Sequence, residues 1–286
     1  MNNNNYKNVM KMKKTIMSLL MFAIIAIIVS SCNKDNNSTT TTSVQTNLAQ
    51  KVALIQGVYS HVFNLVCQAS NDSAIMSGLG HLNGATVTYN SGTHTFTFMY
   101  GNLKSSDSTS GVFVATVTEG NFQDSAATCL ITFNGYSVNG YTFQGSNSIT
   151  NLGGTTIKTF TDSITNTKIV KGTDTTTFNG SYKIEWDNGV STPSFSDDQF
   201  TFQSDNFNVV TNNNCTVTGN ISPANKLRIT TQCQYIVYGI INMTMHSLDS
   251  SNQNVTNVVT IDFITADSCN PQVNVTVDNT QYSFPL

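Results

Sequence analysis

A hydrophobic period of two residues is the feature of this chain that most constrains its fold. Over residues 84–286, apolar and polar side chains alternate along short segments such as Thr95–Phe98 and Phe113–Thr118. Successive side chains of a β-strand point to opposite faces, so the alternation predicts strands with one buried face. Because no segment has the spacing of β-α-β units, we predict an all-β domain, an antiparallel β-meander.

Asparagine-glycine pairs mark the predicted turns between these strands. Asn134-Gly135, Asn139-Gly140 and Asn179-Gly180 are the main examples, and such pairs tolerate the positive φ of tight hairpins. Roughly a dozen strands in succession can form an extended twisted sheet, a sandwich or a barrel. The strand spacing leaves all three open.

Over residues 44–70 the hydrophobic period changes to that of a helix, which predicts one N-terminal amphipathic helix. The apolar residues that recur at steps of three and four are Leu48, Val52, Ile55, Tyr59, Val62 and Val66. They form one stripe, which we expect to cover an open side of the sheet; a partner-binding face is the alternative. Residues 32–43 are polar and low in complexity, which indicates a flexible tether.

Residues 1–31 have the pattern of a bacterial lipoprotein signal peptide. Lys11, Lys13 and Lys14 precede an apolar run, and Ser30-Ser31 precede Cys32, whose thiol is the predicted lipidation site. A retained transmembrane helix is the alternative, but the run is shorter than the roughly 20 residues that span a bilayer. The pattern predicts a lipid anchor in a membrane.

Composition and motifs argue against several functional classes. Charged residues make up 10% of the chain and its net charge is −3, so we expect no nucleic-acid partner. The four histidines are scattered along the chain, and no G-x-S-x-G elbow of a serine hydrolase is present. The segment Gly78-Leu79-Gly80-His81 precedes a predicted strand, whereas a nucleotide-binding loop would precede a helix. Glu185 and Asp187 fit a solvated turn better than a glycosidase pair. We therefore predict no catalytic residues, no metal site, no cofactor and no enzymatic activity.

Five cysteines follow Cys32. If Gln234–His246 pairs antiparallel with Val258–Ile264, the chain after Ile264 returns to Cys233, which predicts a Cys233–Cys269 disulfide. A hairpin turning at residues 222–225 would instead bring Cys215 opposite Cys233. This second pairing stays open at this point.

The C-terminal half also contains motifs of a known family. Gln232–Gly239 (QCQYIVYG), then Thr260–Phe263 (TIDF), then Cys269 and Tyr282, resemble the end of an uncharacterised Bacteroidetes all-β lipoprotein family. That end reads C-P-Y-I-V-S-G, followed by D-F-G-D-G-x-C-D-N-x-A-x-V. This chain departs from it at residues 264–266 and at 271. The resemblance implies an all-β lipoprotein of a family without assigned activity.

Two further patterns resemble signals of the same phylum. Asn33-Lys34-Asp35 resembles a surface-export signal, so an outer-membrane anchor with surface exposure is favoured over a periplasm-facing one. Asp-Ser and Asp-Thr pairs followed by a small or aliphatic residue or by Thr resemble O-glycosylation acceptors; local hydrogen bonding in turns is the alternative. The candidate acceptors are Ser73, Ser108, Ser125, Ser163 and Thr175.

Together these features predict a lipid-anchored cell-envelope protein without enzymatic activity, with a binding or structural role on the surface or in the periplasm. A lipocalin-like carrier of a small apolar ligand is the alternative, since a closed meander can enclose such a ligand. The sequence indicates neither a particular protein nor a particular glycan as partner.

Overall fold

The computed structural model describes residues 38–101, 109–118, 120–192, 194–233, 235–248, 253–263, 269 and 272–285. The predicted signal peptide, Cys32 and the start of the tether lie outside these residues. Helix α1 spans Ser38–Asn71, helix α2 spans Ser73–Met76, and a 3-10 turn spans Phe195–Asp197. The strands are β1 (Leu79–Leu82), β2 (Ala85–Asn90), β3 (Thr95–Tyr100), β4 (Ser110–Val117), β5 (Thr128–Val138), β6 (Tyr141–Gly153), β7 (Lys158–Lys171), β8 (Asp174–Asn188), β9 (Gln199–Thr211), β10 (Thr216–Ile221), β11 (Leu227–Thr230), β12 (Gly239–Leu248), β13 (Asn254–Phe263), β14 (Gln272–Val277) and β15 (Thr280–Pro285).

Within the described residues, the fifteen strands form one antiparallel sheet. The strands follow chain order from β1 to β10 and from β12 to β15, with β10 next to β12; β11 lies off this path and pairs with β9. The sheet is not closed, because β1 and β15 are its two ends. The predicted all-β antiparallel meander with one N-terminal helix is confirmed, and the open sheet is the form that it takes.

Helix α1 packs against the buried face of this sheet and forms the centre of the core. The Tyr59 ring contacts Phe133, Phe143 and Phe178 on three strands. The Phe63 ring lies 5.2–6.1 Å from the rings of four phenylalanines, which are Phe122, Phe160, Phe200 and Phe202. Such edge-to-face pairs, together with the stacked Tyr59–Phe178 pair, add to the free energy of burial. The helix therefore holds strands from the middle of the sheet together.

Burial around α1 is wider than the predicted single stripe. Gln56, Ser60 and Asn64 are buried as fully as Val52 and Val62. By length and composition alone, Val44–Asn71 is also apolar enough to cross a membrane, but most of it is buried inside the protein. The helix also begins at Ser38 and so includes the last part of the predicted tether. Serine and threonine have only moderate helix propensity, so their composition did not indicate this extension.

Two predicted turns are wrong, because their Asn-Gly pairs lie inside long strands. Gly135, with φ +68°, is in β5 where the pairing with β6 shifts register between Phe133 and Ser137. Asn179-Gly180 lies in β8, next to a register shift in its pairing with β9 between Gly180 and Lys183. Gly135 supplies the left-handed conformation at its bulge, whereas at Gly180 a Cβ would lie 2.9 Å from the Tyr182 ring, so the glycine leaves room for that ring. Asn139-Gly140, in contrast, forms the predicted turn between β5 and β6.

The first and twelfth strands also differ from expectation. The segment around Gly80, expected to precede a strand, is itself strand β1, because it pairs with β2 through Leu79–Leu82. Strand β12 begins at Gly239 and not at Gln234, since Val237 and Tyr238 hydrogen bond to Arg228 instead. Because β12 begins only at Gly239, a separate loop precedes it.

Candidate functional site

The loop before β12 is held rigidly at both ends. Cys233 forms a disulfide with Cys269, with the two Cα atoms 5.3 Å apart. The Val237 N–H donates to the Arg228 carbonyl oxygen at 2.8 Å, and the Arg228 N–H donates to the Tyr238 carbonyl oxygen at 2.9 Å. A loop held in this way loses little conformational freedom when it binds a partner.

This loop exposes two tyrosine rings while its aliphatic residues are buried. Ile236 and Val237 lie in the interior, whereas Tyr235 and Tyr238 are 39% and 44% exposed. The Arg228 guanidinium lies 5.1 Å from the centre of the Tyr238 ring, within the range of a cation–π contact. Exposed tyrosines on a rigid loop are typical of binding surfaces, because the ring offers both apolar area and a hydroxyl.

A small groove adjoins Tyr235 along the least buried side of α1. Its lining residues are Ala53, Leu54, Gly57, Val58, His61, Thr109, Tyr136, Val138, Asn139, Tyr235 and Ile236. The cavity volume is about 90 Å³, whereas pockets for drug-sized ligands measure roughly 300–1,000 Å³. The groove therefore fits one side chain or sugar substituent and not a whole lipid or cofactor.

The groove is electrically neutral. Burial lowers the pKa of His61 to about 4, so its imidazole is uncharged at neutral pH. Its Nδ1 atom is buried and has no hydrogen-bond partner within the described part of the protein. A neutral imidazole and tyrosine hydroxyls can exchange hydrogen bonds with a polar group of a partner.

The structure confirms the predicted Cys233–Cys269 disulfide, and the alternative Cys215–Cys233 pairing is therefore wrong. Cys215 is buried next to Thr211, whose side-chain hydroxyl accepts from the Cys215 N–H. Cys67 and Cys129 are buried as well, and burial raises the pKa of both thiols above the ordinary value. Protonated, buried thiols are unreactive.

The candidate acceptors for glycosylation lie in different settings. Ser73, Ser125 and Ser163 are exposed, Thr175 is half-buried, and Ser108 lies outside the described residues. Local hydrogen bonding, the alternative explanation of the Asp-Ser pattern, is present at Ser73: Asp72 caps helix α2 by accepting from the Ala74 and Ile75 N–H groups. The structure therefore brings these residues to the surface without gathering them into one site.

Residues considered for catalysis remain dispersed. Glu185 forms ion pairs with Lys183 and Lys226, and these two cations lower the pKa of its carboxyl. Asp187 accepts from Gln199 and Thr201. In the portion of the chain that the structure describes, no three His, Cys, Asp or Glu side chains are placed to hold a metal ion.

Sequence reasoning missed a buried polar cluster between α1 and the sheet. Asp162 accepts from the Asn147 side-chain amide at 2.8 Å, and both residues are buried. Burial raises the pKa of Asp162 to about 7 despite this hydrogen bond. Asp162 lies at an inward-facing position of the alternating pattern of β7, and this was the available signal. Because Ser163 follows it, the Asp162-Ser163 pair was interpreted as a surface motif instead.

A second buried carboxyl, Asp198, lies near the carboxyl end of α1. Its pKa is raised to about 6 by burial and by the neighbouring Asp197, while the Trp186 indole acts in the opposite direction. Gly189 permits this position, because a Cβ on Gly189 would lie 1.9 Å from Asp198 Oδ1. Neither Asp162 nor Asp198 forms an ion pair within the described residues.

Comparison with known proteins adds no relative to this picture. The chain matches no protein-family model, no curated protein and no solved structure. The family resemblance of its C-terminal motifs therefore remains a prediction, and the candidate site rests on the geometry of this chain: a small neutral groove beside two exposed tyrosines.

Proposed function

We propose that this protein is a lipid-anchored, non-enzymatic protein of the cell envelope that binds a protein or glycan through the Tyr235 loop. The observation that supports binding is the exposure of Tyr235 and Tyr238 on a loop fixed by the Cys233–Cys269 disulfide. The support for the anchor is the sequence around Cys32. The outer membrane, with the protein facing the outside of the cell, is the proposed location.

The lipocalin-like alternative is less well supported. A carrier of that kind needs a closed sheet around ligand space, whereas this sheet is open and α1 packs on its buried face. The groove beside α1 is also too small to enclose an apolar ligand of lipid size.

Site-specific photo-cross-linking in intact cells tests the proposed binding face. A photoreactive residue at Asn139, which lines the groove, is introduced into the full chain and into a Tyr235→Ala/Tyr238→Ala variant. We expect one discrete adduct, lost in the double variant, because the two rings provide most of the apolar contact area. A Leu152→Ala variant is the control, since Leu152 is 57% exposed and is not among the residues that line the groove. An adduct that survives the double substitution, or is lost in the control, contradicts the proposal.

The proposed anchor has a separate test. Replacement of Cys32 by Ser removes the thiol that carries the lipid, so the variant should no longer incorporate labelled fatty acid, whereas the wild-type protein should incorporate it. Protease treatment of intact cells then tests the location: digestion of the wild-type protein, with a periplasmic control protein intact, supports surface exposure. Protection of the protein together with that control would place it inside the envelope.

We also propose O-glycosylation at one or more of the exposed Ser73, Ser125 and Ser163, with Ser108 and Thr175 as further candidates. Support comes from the repeated Asp-Ser and Asp-Thr pattern and the surface position of the three serines. The intact mass of the natively produced protein should exceed the mass of the lipidated polypeptide. A mass explained by polypeptide and lipid alone rules this modification out.

A further inference from the structure

Strand β15 leaves one of its edges without a partner. Its inner edge pairs with β14 along Thr280–Pro285, and no other strand among the described residues pairs with its outer edge. An unpaired edge presents backbone N–H and C=O groups that can bond another extended strand. The number and position of these groups follow from the hairpin geometry.

The turn between β14 and β15 fixes which groups point outward. Asp278 and Asn279 both have positive φ, which is the conformation of a two-residue type I′ hairpin turn. In such a hairpin the flanking residues Val277 and Thr280 form a hydrogen-bonded pair, and hydrogen-bonded pairs then alternate with non-bonded ones. Thr280, Tyr282 and Phe284 therefore bond β14.

Pairing on the other side of β14 gives the same alternation. The Asp278 N–H donates to the Val258 carbonyl oxygen at 3.0 Å, so residues 274, 276 and 278 bond β13. Residues 273, 275 and 277 are thus left to bond β15, in agreement with the turn. Gln281, Ser283 and Pro285 consequently direct their backbone groups away from the sheet.

Most of the usual protections of an edge strand are missing from β15. Natural edges are blocked by charged side chains, bulges or proline. Strand β15 contains no charged residue, its register with β14 is regular, and its only proline, Pro285, is the last residue. Pro285 lacks an N–H but keeps its carbonyl oxygen as an acceptor.

The core-facing side of β15 is apolar and incompletely covered. Tyr282 and Phe284 lie opposite Val275 and Val273 and pack against the core, yet both rings remain half-buried. An added strand would cover them if it carried apolar side chains at matching positions.

We propose that β15 pairs with β15 of a second copy of this chain, antiparallel and about a twofold axis at Ser283. In this register Ser283 pairs with Ser283 of the second copy, and Gln281 pairs with Pro285 of the second copy. The Gln281 N–H then donates to the carbonyl oxygen of Pro285 of the second copy, whereas the reverse bond to the Gln281 carbonyl oxygen is absent because proline has no N–H. Four backbone hydrogen bonds result: two from the single Ser283–Ser283 pair and one from each of the two Gln281–Pro285 pairs.

The same register explains why the partner is a second copy and not an arbitrary strand. Tyr282 of each chain lies opposite Phe284 of the other in a non-hydrogen-bonded pair, the closer of the two antiparallel pair types. Aromatic cross-strand pairs stabilise sheets, and here each chain covers the half-buried ring of the other. The inference is independent of the proposed ligand-binding face at Tyr235.

Cysteine cross-linking of the full chain in intact cells tests this register. Antiparallel hydrogen-bonded residues have Cα atoms about 5.5 Å apart, within the usual range of a disulfide, so Ser283→Cys should give a disulfide-linked homodimer on a non-reducing gel. Gln281→Cys is the control on the same strand: its two copies would lie roughly 14 Å apart along the strands and should not link. Equal linking of the two variants, no linking of S283C, or linking of S283C only to a different protein overturns the proposal.

A second pair of variants separates the backbone from the side chain. Ser283→Pro removes the outward N–H and leaves the β14 pairing intact, whereas Ser283→Ala keeps that N–H. Sedimentation of the full chain in density-matched detergent should show a concentration-dependent dimer for wild type and S283A and only monomer for S283P. Both variants should retain the wild-type thermal midpoint at dilutions where the protein is monomeric. A dimer in S283P, or only monomer in wild type, contradicts the proposed pairing.

Discussion

Asp162 places a carboxyl group in the interior between α1 and the sheet. Tyr59 faces it from α1, Tyr182 from β8 and Cys129 from β5, and Asn147 of β6 donates to it. None of these groups carries a compensating positive charge. Burial therefore favours the protonated form of the carboxyl, and the pKa rises to about 7.

This raised pKa makes the free energy of unfolding depend on pH. Between about pH 4 and pH 7 the folded state holds a proton on Asp162 that the unfolded state releases, so stability falls as pH rises through this window and then becomes constant. Asp162→Asn should remove this contribution and stabilise the protein at pH 8 by roughly 1–4 kcal/mol, since a tenfold change in proton affinity corresponds to about 1.4 kcal/mol. Urea denaturation at pH 5 and pH 8 measures both effects.

An exposed aspartate provides the control for this experiment. Asp205 lies on the surface of β9, so Asp205→Asn makes the same chemical change without burial. It should leave the pH dependence as in the wild type. A slope that persists unchanged in Asp162→Asn would assign the effect to other groups, first among them Asp198, whose pKa is raised to about 6.

Single residues also show what the sequence could predict. Cys233 and Cys269 were identifiable because their positions relative to two strongly patterned strands constrain the geometry. Asp162 was not, since its interior position depends on the register of β7 and on how α1 covers it. A local pattern cannot distinguish a buried Asp-Ser pair from a surface one when serine and threonine occupy both faces of the strands.

At the scale of elements, α1 contributes the centre of the core. Phe63 is fully buried and contacts four phenylalanine rings from the sheet and from the loop before β5. Phe63→Ala should reduce the free energy of unfolding by about 3–5 kcal/mol, because it removes a large side chain and leaves a cavity. Urea denaturation measures this loss. Leu54→Ala, at a half-buried position of the same helix, should cost much less; an equal cost would mean that the helix is not packed as described.

Glycines with positive φ occur at the bulges of this fold as well as at its turns. Gly111 has φ +83° next to the bulge between β4 and β5, and a Cβ there would lie 2.0 Å from the Gly135 carbonyl oxygen. Gly111→Ala should therefore destabilise the protein by roughly 2 kcal/mol or more through steric overlap and an unfavourable φ.

Gly57 on α1 is the opposite case and the matched control. No atom lies within 4 Å of a Cβ built on it, so Gly57→Ala should stabilise the protein by about 0.5–1 kcal/mol through helix propensity. Thermal unfolding of both variants gives the comparison. The two wrong turn predictions have different physical causes: Gly135 is needed for its positive φ at a bulge, and Gly180 is needed because the absence of a Cβ leaves room for the Tyr182 ring.

At the scale of the whole molecule, each strand of the meander pairs mainly with the strands next to it in the sequence. Sequence could predict this order, because alternation and short connections define a meander. It could not predict that the sheet stays open, since closure depends on how far the strands bend around α1. The observed burial of α1 on most sides shows that the helix, and not pairing of β1 with β15, completes the core.

The disulfide is the one described covalent link across this arrangement. It joins the loop before β12 to the segment after β13 and closes a loop with a sequence separation of 36 residues. Loop closure of this length should stabilise the folded protein by about 3–4 kcal/mol in the chain-entropy treatment. Reduction should therefore lower the urea midpoint of the wild-type protein.

The double variant Cys233→Ser/Cys269→Ser shows whether this effect belongs to the disulfide. Its midpoint should equal that of the reduced wild type and should not respond to reductant, because Cys67, Cys129 and Cys215 remain buried thiols. A further response to reductant would reveal another disulfide that forms in solution.

Since the same disulfide fixes the Tyr235 loop, the double variant should also lose binding through that loop before it loses its fold. This loss should appear as a weaker photo-cross-link from Asn139 under conditions where the protein remains folded. Full cross-linking in the unlinked variant would mean that backbone hydrogen bonds to Arg228 are sufficient to hold the loop.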